Sequence, residues 1–308
     1  MLSQLPFECP QHLLTLAGQG EPTPMAVAGA ESSVALESVK AAHDEGLILP
    51  YLVGDPASIK KIAAEIQWPL GDFEIVSADG EEDTAAKAVE LVRKKQAKAL
   101  MKGQIHTDRL MRAVIDREKG LRTGRRLSHI FYMTAPGREG ALSITDAAVN
   151  VAPSVDVRMD ILRNAISFQH ALGQACPKVA VISATETPNP AMPTSMEAAD
   201  IVARAGNGEI EGALVEGPFA LDLAVSPHSV KIKGIASKVA GQADVLLMPA
   251  IEAGNVLFKA MVYYMSACAA GLVLGAAAPI VLTSRADPPE ARLAAAALAS
   301  IVSQSLES

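Results

Sequence analysis

The sequence predicts an α/β protein in which parallel-rich β-sheets are covered by helices on both faces. Two observations predict it: short apolar runs alternate with helix-like runs, and this βαβα order continues along most of the 308 residues. At about 150 residues per domain, the length predicts two domains. Half of the residues are hydrophobic, so we expect a large core that buries about three-quarters of the unfolded surface.

The first series of elements starts near residue 24. Strands are predicted at PMAVAGA, LILPYLVGD, FEIVS and KALM, and helices at residues 31–46, 56–67 and 81–96. The second of these helices is expected to begin at Asp55-Pro56, because Asp suits an N-cap and Pro suits the first helical position. Strands that alternate with helices in this way favour parallel pairing.

The second series starts near residue 141. Strands are predicted at LSIT, KVAVIS, GALVE and DVLLM, each followed by a loop and a helix. Ser154 is expected to cap the first helix of this series, and Gly173 is expected to end it. No flexible linker separates the two series, so we expect the domains to share a tight cleft.

Composition and charge exclude several classes of protein. With 27 basic and 34 acidic side chains the net charge is −7, so no overall field attracts nucleic acid or an anionic membrane. An anionic substrate must therefore be held by a local cationic pocket. The N-terminus lacks the basic start and apolar run of a secretory signal, and we expect a bacterial-type cytoplasmic enzyme.

Cysteine and histidine spacing argues against a metal site. The cysteines Cys9, Cys176 and Cys268 are far apart, and the six histidines show no H-x₃-H spacing. Of the histidines, His106 and His129 are the better candidates for the cleft, because they lie near predicted strand ends. We expect no metal.

One uncharged stretch is long enough to span a bilayer. Residues 260–284 contain no Asp, Glu, Lys or Arg. The stretch is mostly Ala and Gly and is interrupted by Gly271, Gly275 and Pro279. We therefore expect a buried helix followed by a buried strand, and no membrane association.

Four loops after predicted strands carry the candidate site residues, because ligands of parallel sheets bind at the carboxyl ends of strands. In the first loop Lys102 supplies charge, Gly103 lets backbone approach an anion, and Thr107 is expected to cap the next helix. In the second, Asp146 and Asn150 lie between apolar residues and also suit turn and capping roles.

The third loop places Gly254 and Asn255 at a predicted helix start, with Lys259 one turn further. In the fourth, Asp287 and Glu290 fit a capping box that begins the last helix. That role leaves Ser284 and Arg285 unexplained, between a strand end and a helix start, where a hydroxyl and a guanidinium suit an oxyanion. The sequence contains no P-loop, dinucleotide fingerprint or nucleophile elbow.

Six segments together resemble one known family, the phosphate acetyl/butyryltransferases, and its butyryltransferase branch most closely. The resemblance runs from about Pro24 to Ala299. The segments are ALMKGQIHTD, RLSHIFYM, TDAAVNVAPSVDVRMDILRNAI, GPFALDLAVS, KGIASKVAGQADVLLMPAIEAGNVLFKAMVYY and APIVLTSRADPPEARLAAAALA.

The resemblance implies a two-domain α/β fold like that of isocitrate and isopropylmalate dehydrogenases. It implies a first domain of residues 1–140 completed by 284–308, and a second of residues 141–283, with the active site in the cleft between them. It also implies a homo-oligomer, a dimer or larger. The apolar helices predicted at Val256–Ala270 and Leu293–Val302 suit such subunit contacts.

The family reaction converts acyl-CoA and phosphate to acyl phosphate and CoA, and the reverse, with CoA as a substrate and no permanently bound cofactor. The resemblance implies that Ser284 hydrogen-bonds the reacting group and that Arg285 steadies phosphate. It carries over Asn255 and Lys259 from the AGN-x-x-x-K segment, and Asp146 and Asn150 from the D-x-x-x-N loop, as cleft residues.

One departure leaves the base for the CoA thiol open. Ala291 stands seven residues after Ser284, where the acetyltransferase branch carries Asp. Solution pH, Arg285 or another carboxylate such as Asp146 could supply the thiolate, and we expect direct transfer without an acyl-enzyme. Three alternatives stay open: an enzyme specific for acetyl, propionyl or branched acyl groups, an NAD- and metal-dependent decarboxylating dehydrogenase of similar fold, and a non-catalytic metabolite-binding domain.

Overall fold

A computed structural model describes residues 3–71, 73–284 and 286–306. Its strands are β1 (Thr23–Ala28), β2 (Ile48–Gly54), β3 (Ile75–Ser77), β4 (Ala99–Lys102), β5 (Ser128–Thr134), β6 (Leu142–Thr145), β7 (Lys178–Ile182), β8 (Leu214–Phe219), β9 (Val245–Leu247), β10 (Cys268–Leu274) and β11 (Ile280–Val281). Its helices are α1 (Gln11–Ala17), α2 (Ser33–Asp44), α3 (Pro56–Glu65), α4 (Gly80–Arg93), α5 (Thr107–Val114), α6 (Val155–Ala171), α7 (Pro193–Arg204), α8 (Leu221–Val225), α9 (Pro227–Lys233), α10 (Ile251–Met265) and α11 (Pro289–Ser305).

The chain forms two compact units. The terminal unit comprises Phe7–Arg125 and Ala270–Ser308, and the central unit comprises Arg126–Ala269 with the first six residues. The units divide the chain after residues 125 and 269. The domains with boundaries after residues 140 and 283 stay a prediction.

The terminal unit is built on a mainly parallel sheet, as the alternation of strands and helices predicts. Its strand order is β3-β2-β1-β4-β11-β10. All of these strands are parallel to their neighbours except β10, which pairs antiparallel with β11. Five of the six residues of β1 are buried, which is typical of a strand covered on both faces.

The last helix, α11, packs into the core of the terminal unit. Its buried residues include a run of alanines, 294–297, and such small side chains let a helix approach a sheet closely. Hydrogen bonds tie it to the N-terminal half of the chain. Among them, Ser300 Oγ lies 2.8 Å from Thr23 Oγ1, and Ser303 Oγ donates to the Lys98 carbonyl oxygen at 2.8 Å.

The central unit has the strand order β5-β6-β9-β7-β8, in which only β5 runs antiparallel to its neighbour. The strand β5 was not among those expected from the apolar runs. The ends of α6 are as predicted: the Ser154 hydroxyl accepts from the Val157 N–H, and Gly173, at φ 85°, follows the helix. Asp55 likewise caps α3 by accepting from the Ser58 N–H at 2.8 Å.

The uncharged stretch of residues 260–284 differs in part from its prediction. Its strand β10 is almost wholly buried, as expected, and the short strand β11 follows. The expectation of a buried helix is wrong, because Tyr263 and Tyr264 near the end of α10 are 53% and 63% exposed. Within the described residues, the helices are all too short or too polar to cross a membrane.

Candidate active site

Two of the predicted site loops begin at neighbouring strand ends of the terminal unit. The strands β4 and β11 pair in parallel, with Leu100 opposite Ile280 and Met101 opposite Val281. The loop after Lys102 and the turn at Ser284 therefore leave the sheet at the same edge. The sheet register thus brings together residues that are about 180 positions apart in the sequence.

Gly103 is required by contacts inside the protein. A Cβ atom at this position would lie 2.2 Å from the carbonyl oxygen of Gly29. The Gly103 N–H donates to the Ala28 carbonyl oxygen at 2.8 Å, and the next N–H, of Gln104, donates to Gly29. Gly103 was expected to let backbone approach an anion. It also has a structural role, because its own N–H already donates to the Ala28 carbonyl oxygen.

Lys102 and Thr107 flank this turn. The ammonium group of Lys102 donates to the Gly103 carbonyl oxygen at 3.2 Å. Thr107 is the first residue of α5, and His106 occupies the N-cap position, so the prediction that Thr107 caps the helix is wrong. His106 is held instead by Glu81, whose Oε1 lies 2.8 Å from its Nδ1.

The turn after β11 is closed by Asp287. Its Oδ2 accepts from the Ser284 N–H at 2.7 Å, while the Ser284 hydroxyl accepts from the Ala286 N–H at 3.3 Å. Burial raises the pKa of the Asp287 carboxyl group, partly opposed by the Ser284 N–H. The hydroxyl of Ser284 is in an exposed residue, and Arg285 lies outside the described residues.

The predicted capping box at Asp287 and Glu290 is wrong. The N-cap of α11 is Pro288, with φ −63° and ψ 153°. A residue that precedes proline is disfavoured in the helical region, so Pro289 holds Pro288 extended and the helix starts one residue later than the box requires. Ala291, which stands where the acetyltransferase branch carries Asp, is 2% exposed within α11 and therefore belongs to the core.

In the central unit, Asp146 organises the loop that follows β6. Its Oδ1 accepts from the N–H groups of Ala148 and Val149 at 2.9 and 3.0 Å. Its Oδ2 accepts from the N–H and the side-chain amide of Asn150 at 3.2 and 2.6 Å. Both residues are buried. Four hydrogen bonds occupy the carboxylate, so its observed role is to shape this loop.

The first turns of α10 pack against the same loop. A Cβ atom on Gly254 would lie 2.8 Å from that of Ala147 and 3.0 Å from the Asp146 carbonyl oxygen. The prediction that the helix starts at Gly254 and Asn255 is wrong, because α10 begins at Ile251. The Asn255 side chain instead donates to the Ala147 carbonyl oxygen at 3.2 Å.

Lys259 lies one turn further along α10. It is exposed, and its ammonium nitrogen is 5.9 Å from the ring centre of Phe258. Of the five site residues predicted in the central unit, four are therefore joined by direct contacts around Asp146. Lys259 is positioned next to them by the helix that carries Asn255.

His129, one of the two histidines near predicted strand ends, has a buried environment that the local sequence did not predict. It is 3% exposed, and burial lowers the pKa of its imidazole, an effect that the Asp146 charge opposes. Its ring centre is 4.3 Å from that of Phe131, which stacks on Phe258 at 4.0 Å. In a strand, residues two positions apart share one face, so the sequence could have predicted that His129 and Phe131 lie side by side on β5.

The residues that the structure describes include no group of three or more His, Cys, Asp and Glu side chains that could hold a metal ion. The three cysteines are free thiols.

Comparison with known proteins places the chain in a defined class. Residues 80–300 match the family described as "Phosphate acetyl/butaryl transferase". The chain is 47% identical over 260 residues to a phosphate acetyltransferase of Rhizobium meliloti, covering 84% of this chain and 82% of that protein. It is 41% identical over 278 residues to a phosphate butyryltransferase of Clostridium acetobutylicum, covering 90% and 92%.

Solved structures agree with these relationships. A branched-chain phosphotransacylase from Enterococcus faecalis superposes with a TM-score of 0.81 at 31% identity, covering 91% of this chain and 99% of that one. A 4-hydroxythreonine-4-phosphate dehydrogenase from Burkholderia phymatum has a TM-score of 0.57 at 11% identity. This second likeness shows the dehydrogenase-like fold alone.

The protein is an acyltransferase enzyme. The family match and the identity over most of the chain then define it further: the chain belongs to the phosphate acetyl/butyryltransferase family.

Proposed function

We propose that this protein is a phosphate butyryltransferase that interconverts butyryl-CoA plus phosphate and butyryl phosphate plus CoA. CoA acts as a substrate, and no cofactor is permanently bound. The observation that carries the proposed acyl transfer to phosphate is the family match over residues 80–300, a range that includes every proposed site residue.

The chemistry needs little covalent help, because the CoA thiolate is itself a strong nucleophile. It needs two anions aligned with one carbonyl group, which removes an entropic barrier worth several kcal/mol. We propose that Arg285 and Lys102 bind phosphate and that Ser284 hydrogen-bonds the reacting group. Transfer is direct, without an acyl-enzyme.

The other proposed residues shape substrate-binding loops. Gly103 sets the turn after β4, Thr107 begins the helix that follows this turn, and Asp287 sets the Ser284 turn. Asp146, Asn150, Gly254, Asn255 and Lys259 form the corresponding surface of the central unit. The hydrogen bonds of Asp146 and Asn150 support this role, since they fix a loop that has no regular secondary structure.

Phosphate acetyltransferase is the second candidate, favoured by the 47% identity to the enzyme of Rhizobium meliloti. One observation in the structure favours a longer acyl chain: the stacked and half-buried rings of Phe131 and Phe258 offer apolar surface next to His129. One methylene group contributes only about 1–3 kcal/mol to discrimination, so both acyl groups must be compared directly.

We also propose a cytoplasmic homo-oligomer. Free thiols at Cys9, Cys176 and Cys268 suit a reducing compartment. The apolar side chains of Val256, Tyr263 and Tyr264 are exposed on α10, and such a surface suits a contact with a second subunit. Light scattering should give a mass of at least two chains, and a monomer would contradict this proposal.

The test is phosphate-dependent thiol release from acetyl-, propionyl- and butyryl-CoA by the wild-type protein and by Ser284→Ala and Arg285→Ala. We expect the fastest release from butyryl-CoA, and a larger rise in the phosphate KM for Arg285→Ala than for Ser284→Ala. No release from any acyl-CoA would refute the enzyme. Near wild-type rates in both variants would refute the site, and a stable acylated protein after gel filtration would refute direct transfer.

A further inference from the structure

His129 is a buried polar side chain that takes part in none of the side-chain hydrogen bonds described above. Its Nδ1 has no hydrogen-bond partner among residues 3–306, leaving aside positions 72 and 285. Most buried polar atoms in folded proteins are hydrogen-bonded, so an unpartnered one requires an explanation. A ligand that supplies the missing oxygen would be one.

The position of His129 suits such a ligand. Because β5 is antiparallel to β6, with Ile130 opposite Thr145, the start of β5 lies where β6 ends. The Thr145 hydroxyl donates to the His129 carbonyl oxygen at 2.8 Å, which ties the two strands at this point. His129 is therefore at the carboxyl edge of the parallel strands β6, β9 and β7, the edge where ligands of such sheets bind.

Asp146 does not satisfy the imidazole. Its two carboxylate oxygens already accept four hydrogen bonds from Ala148, Val149 and Asn150, which uses about all the acceptor sites of a carboxylate. Asp146 therefore acts on His129 through its charge, and its carboxylate does not fix by a hydrogen bond which imidazole nitrogen carries the proton. A bound oxygen atom can select the form with the proton on Nδ1.

The surroundings keep the imidazole neutral. Burial lowers its pKa, while the charge of Asp146 raises it by less. The Phe131 ring, which packs against the imidazole, and the Phe258 ring, which stacks on Phe131, carry no charge, and Lys259 follows Phe258 on α10. A neutral imidazole still has one N–H donor, and neutral histidine can polarise a substrate carbonyl in this way.

We propose that the Nδ1–H of neutral His129 donates a hydrogen bond to the carbonyl oxygen of the acyl group during transfer. This inference rests on the proposed acyl transfer. As the CoA sulfur attacks the carbonyl carbon, the C–S bond forms and the C=O electron pair moves onto the oxygen held by Nδ1–H. When the carbonyl re-forms, the C–O bond to phosphate breaks, and the thiol proton leaves on hydrogen phosphate.

In this scheme His129 keeps its own proton throughout. The Phe131 ring packs against the imidazole, and His129 is only 3% exposed, which limits access of water to it. A donor already in place and shielded from water stabilises a developing oxyanion more than a solvated donor does.

The test compares three substitutions of His129 with the wild-type protein. Asn places an amide near the position of Nδ1, Gln places one near the position of Nε2, and Leu removes the donor. We expect His129→Leu to lower kcat by about 10²–10³-fold with less than about threefold change in the acyl-CoA KM. His129→Asn should retain more kcat than His129→Gln. Tyr132→Phe, on the opposite face of β5, is the matched control and should retain wild-type kcat.

Two kinetic results would overturn the role of His129 while leaving the proposed function intact. One is a kcat of His129→Leu within about threefold of that of the active wild-type protein. The other is an acidic limb in the wild-type pH–rate profile that disappears in His129→Asn, since it would make His129 a base. A wild-type protein without phosphate-dependent thiol release would instead refute the proposed function.

A spectroscopic measurement remains useful if the Leu variant fails to fold. Protein labelled with ¹⁵N-histidine is titrated with butyryl-CoA, and the His129 signals are assigned by their loss in the Asn variant. The Nδ1 signal should move to the protonated range on binding and stay there between pH 6 and pH 8. An Nδ1 signal that is unchanged by saturating butyryl-CoA would overturn the proposal.

Discussion

The Oδ2 atom of Asp287 accepts a hydrogen bond from the backbone N–H of Ser284 at 2.7 Å. The two residues are three positions apart, so the carboxylate fixes the backbone at Ser284, one of the proposed catalytic residues. Arg292 reinforces this arrangement by donating to the Asp287 carbonyl oxygen at 2.7 Å. The geometry of the turn therefore depends on an acidic residue even though the proposed substrate is an anion.

We expect Asp287→Ala to lower kcat/KM by about tenfold or more, because a hydrogen bond to a charged group contributes about 1.5–3 kcal/mol. Asp287→Asn retains an acceptor and should lose less. The measurement is phosphate-dependent thiol release with each variant. Glu290→Gln, in the first turn of α11, is the control and should keep wild-type activity. An Ala variant as active as the control would contradict the role of Asp287.

Gly103→Ala should destabilise the protein by about 1–3 kcal/mol or more, the cost of overpacking a site that cannot relax. The new Cβ would meet the Gly29 carbonyl oxygen at 2.2 Å, and backbone cannot move aside as a flexible side chain can. Urea unfolding measures the change.

Gly124→Ala is the matched control in the same unit, because a Cβ there would have no atom within 4 Å. We expect its free energy of unfolding to stay within about 0.5 kcal/mol of the wild-type value. Equal stabilities of the two variants would show that β1 and the turn after β4 are not rigidly packed.

Asp146→Ala should lower the free energy of unfolding by about 3 kcal/mol, since it leaves several buried donors without an acceptor. Thiol release should fall as well, because the loop after β6 loses the bonds that shape it. Asp156→Ala is the control: this carboxylate pairs with Arg204 at 2.7 Å, but its side chain is 85% exposed. Exposed pairs contribute about 0–1 kcal/mol. A comparable loss in the two variants would contradict the structural role of Asp146.

The burial of His129 predicts a pH dependence of stability. Its pKa in the folded protein lies below the ordinary value, so below about pH 6.5 the unfolded chain binds a proton that the folded protein does not. Stability should therefore fall as the pH drops from about 6.5 towards the folded pKa, by up to about 1.4 kcal/mol per pH unit.

His129→Asn should show a smaller loss of stability than the wild-type protein between pH 7.5 and pH 5.5, measured by urea unfolding. Gly124→Ala, which changes no titratable side chain, is the control and should leave the wild-type slope unchanged. Identical slopes in the wild-type protein and His129→Asn would show that His129 can be protonated without unfolding.

Much of the fold was predictable because its signals are local. The apolar runs of β1, β2 and β4 and the helices between them specify parallel pairing, and the caps at Asp55 and Ser154 need only a partner three residues away. The exposure of α10 was not predictable in this way. An apolar helix can be buried in its own unit or left exposed for another contact, and its composition is the same in both cases.

The positions of the site loops followed from the sequence alone, because the ends of parallel strands are recognisable wherever an apolar run meets polar residues. The partners of their side chains were decided only by the tertiary structure. Gly103 meets Gly29, and Asn255 bonds to Ala147, 108 residues away, and both contacts depend on sheet register and helix packing. The same reason applies to Nδ1 of His129, which has no hydrogen-bond partner among the described residues. Whether a buried nitrogen has a partner depends on distant parts of the chain that surround it, and a local sequence pattern does not predict them.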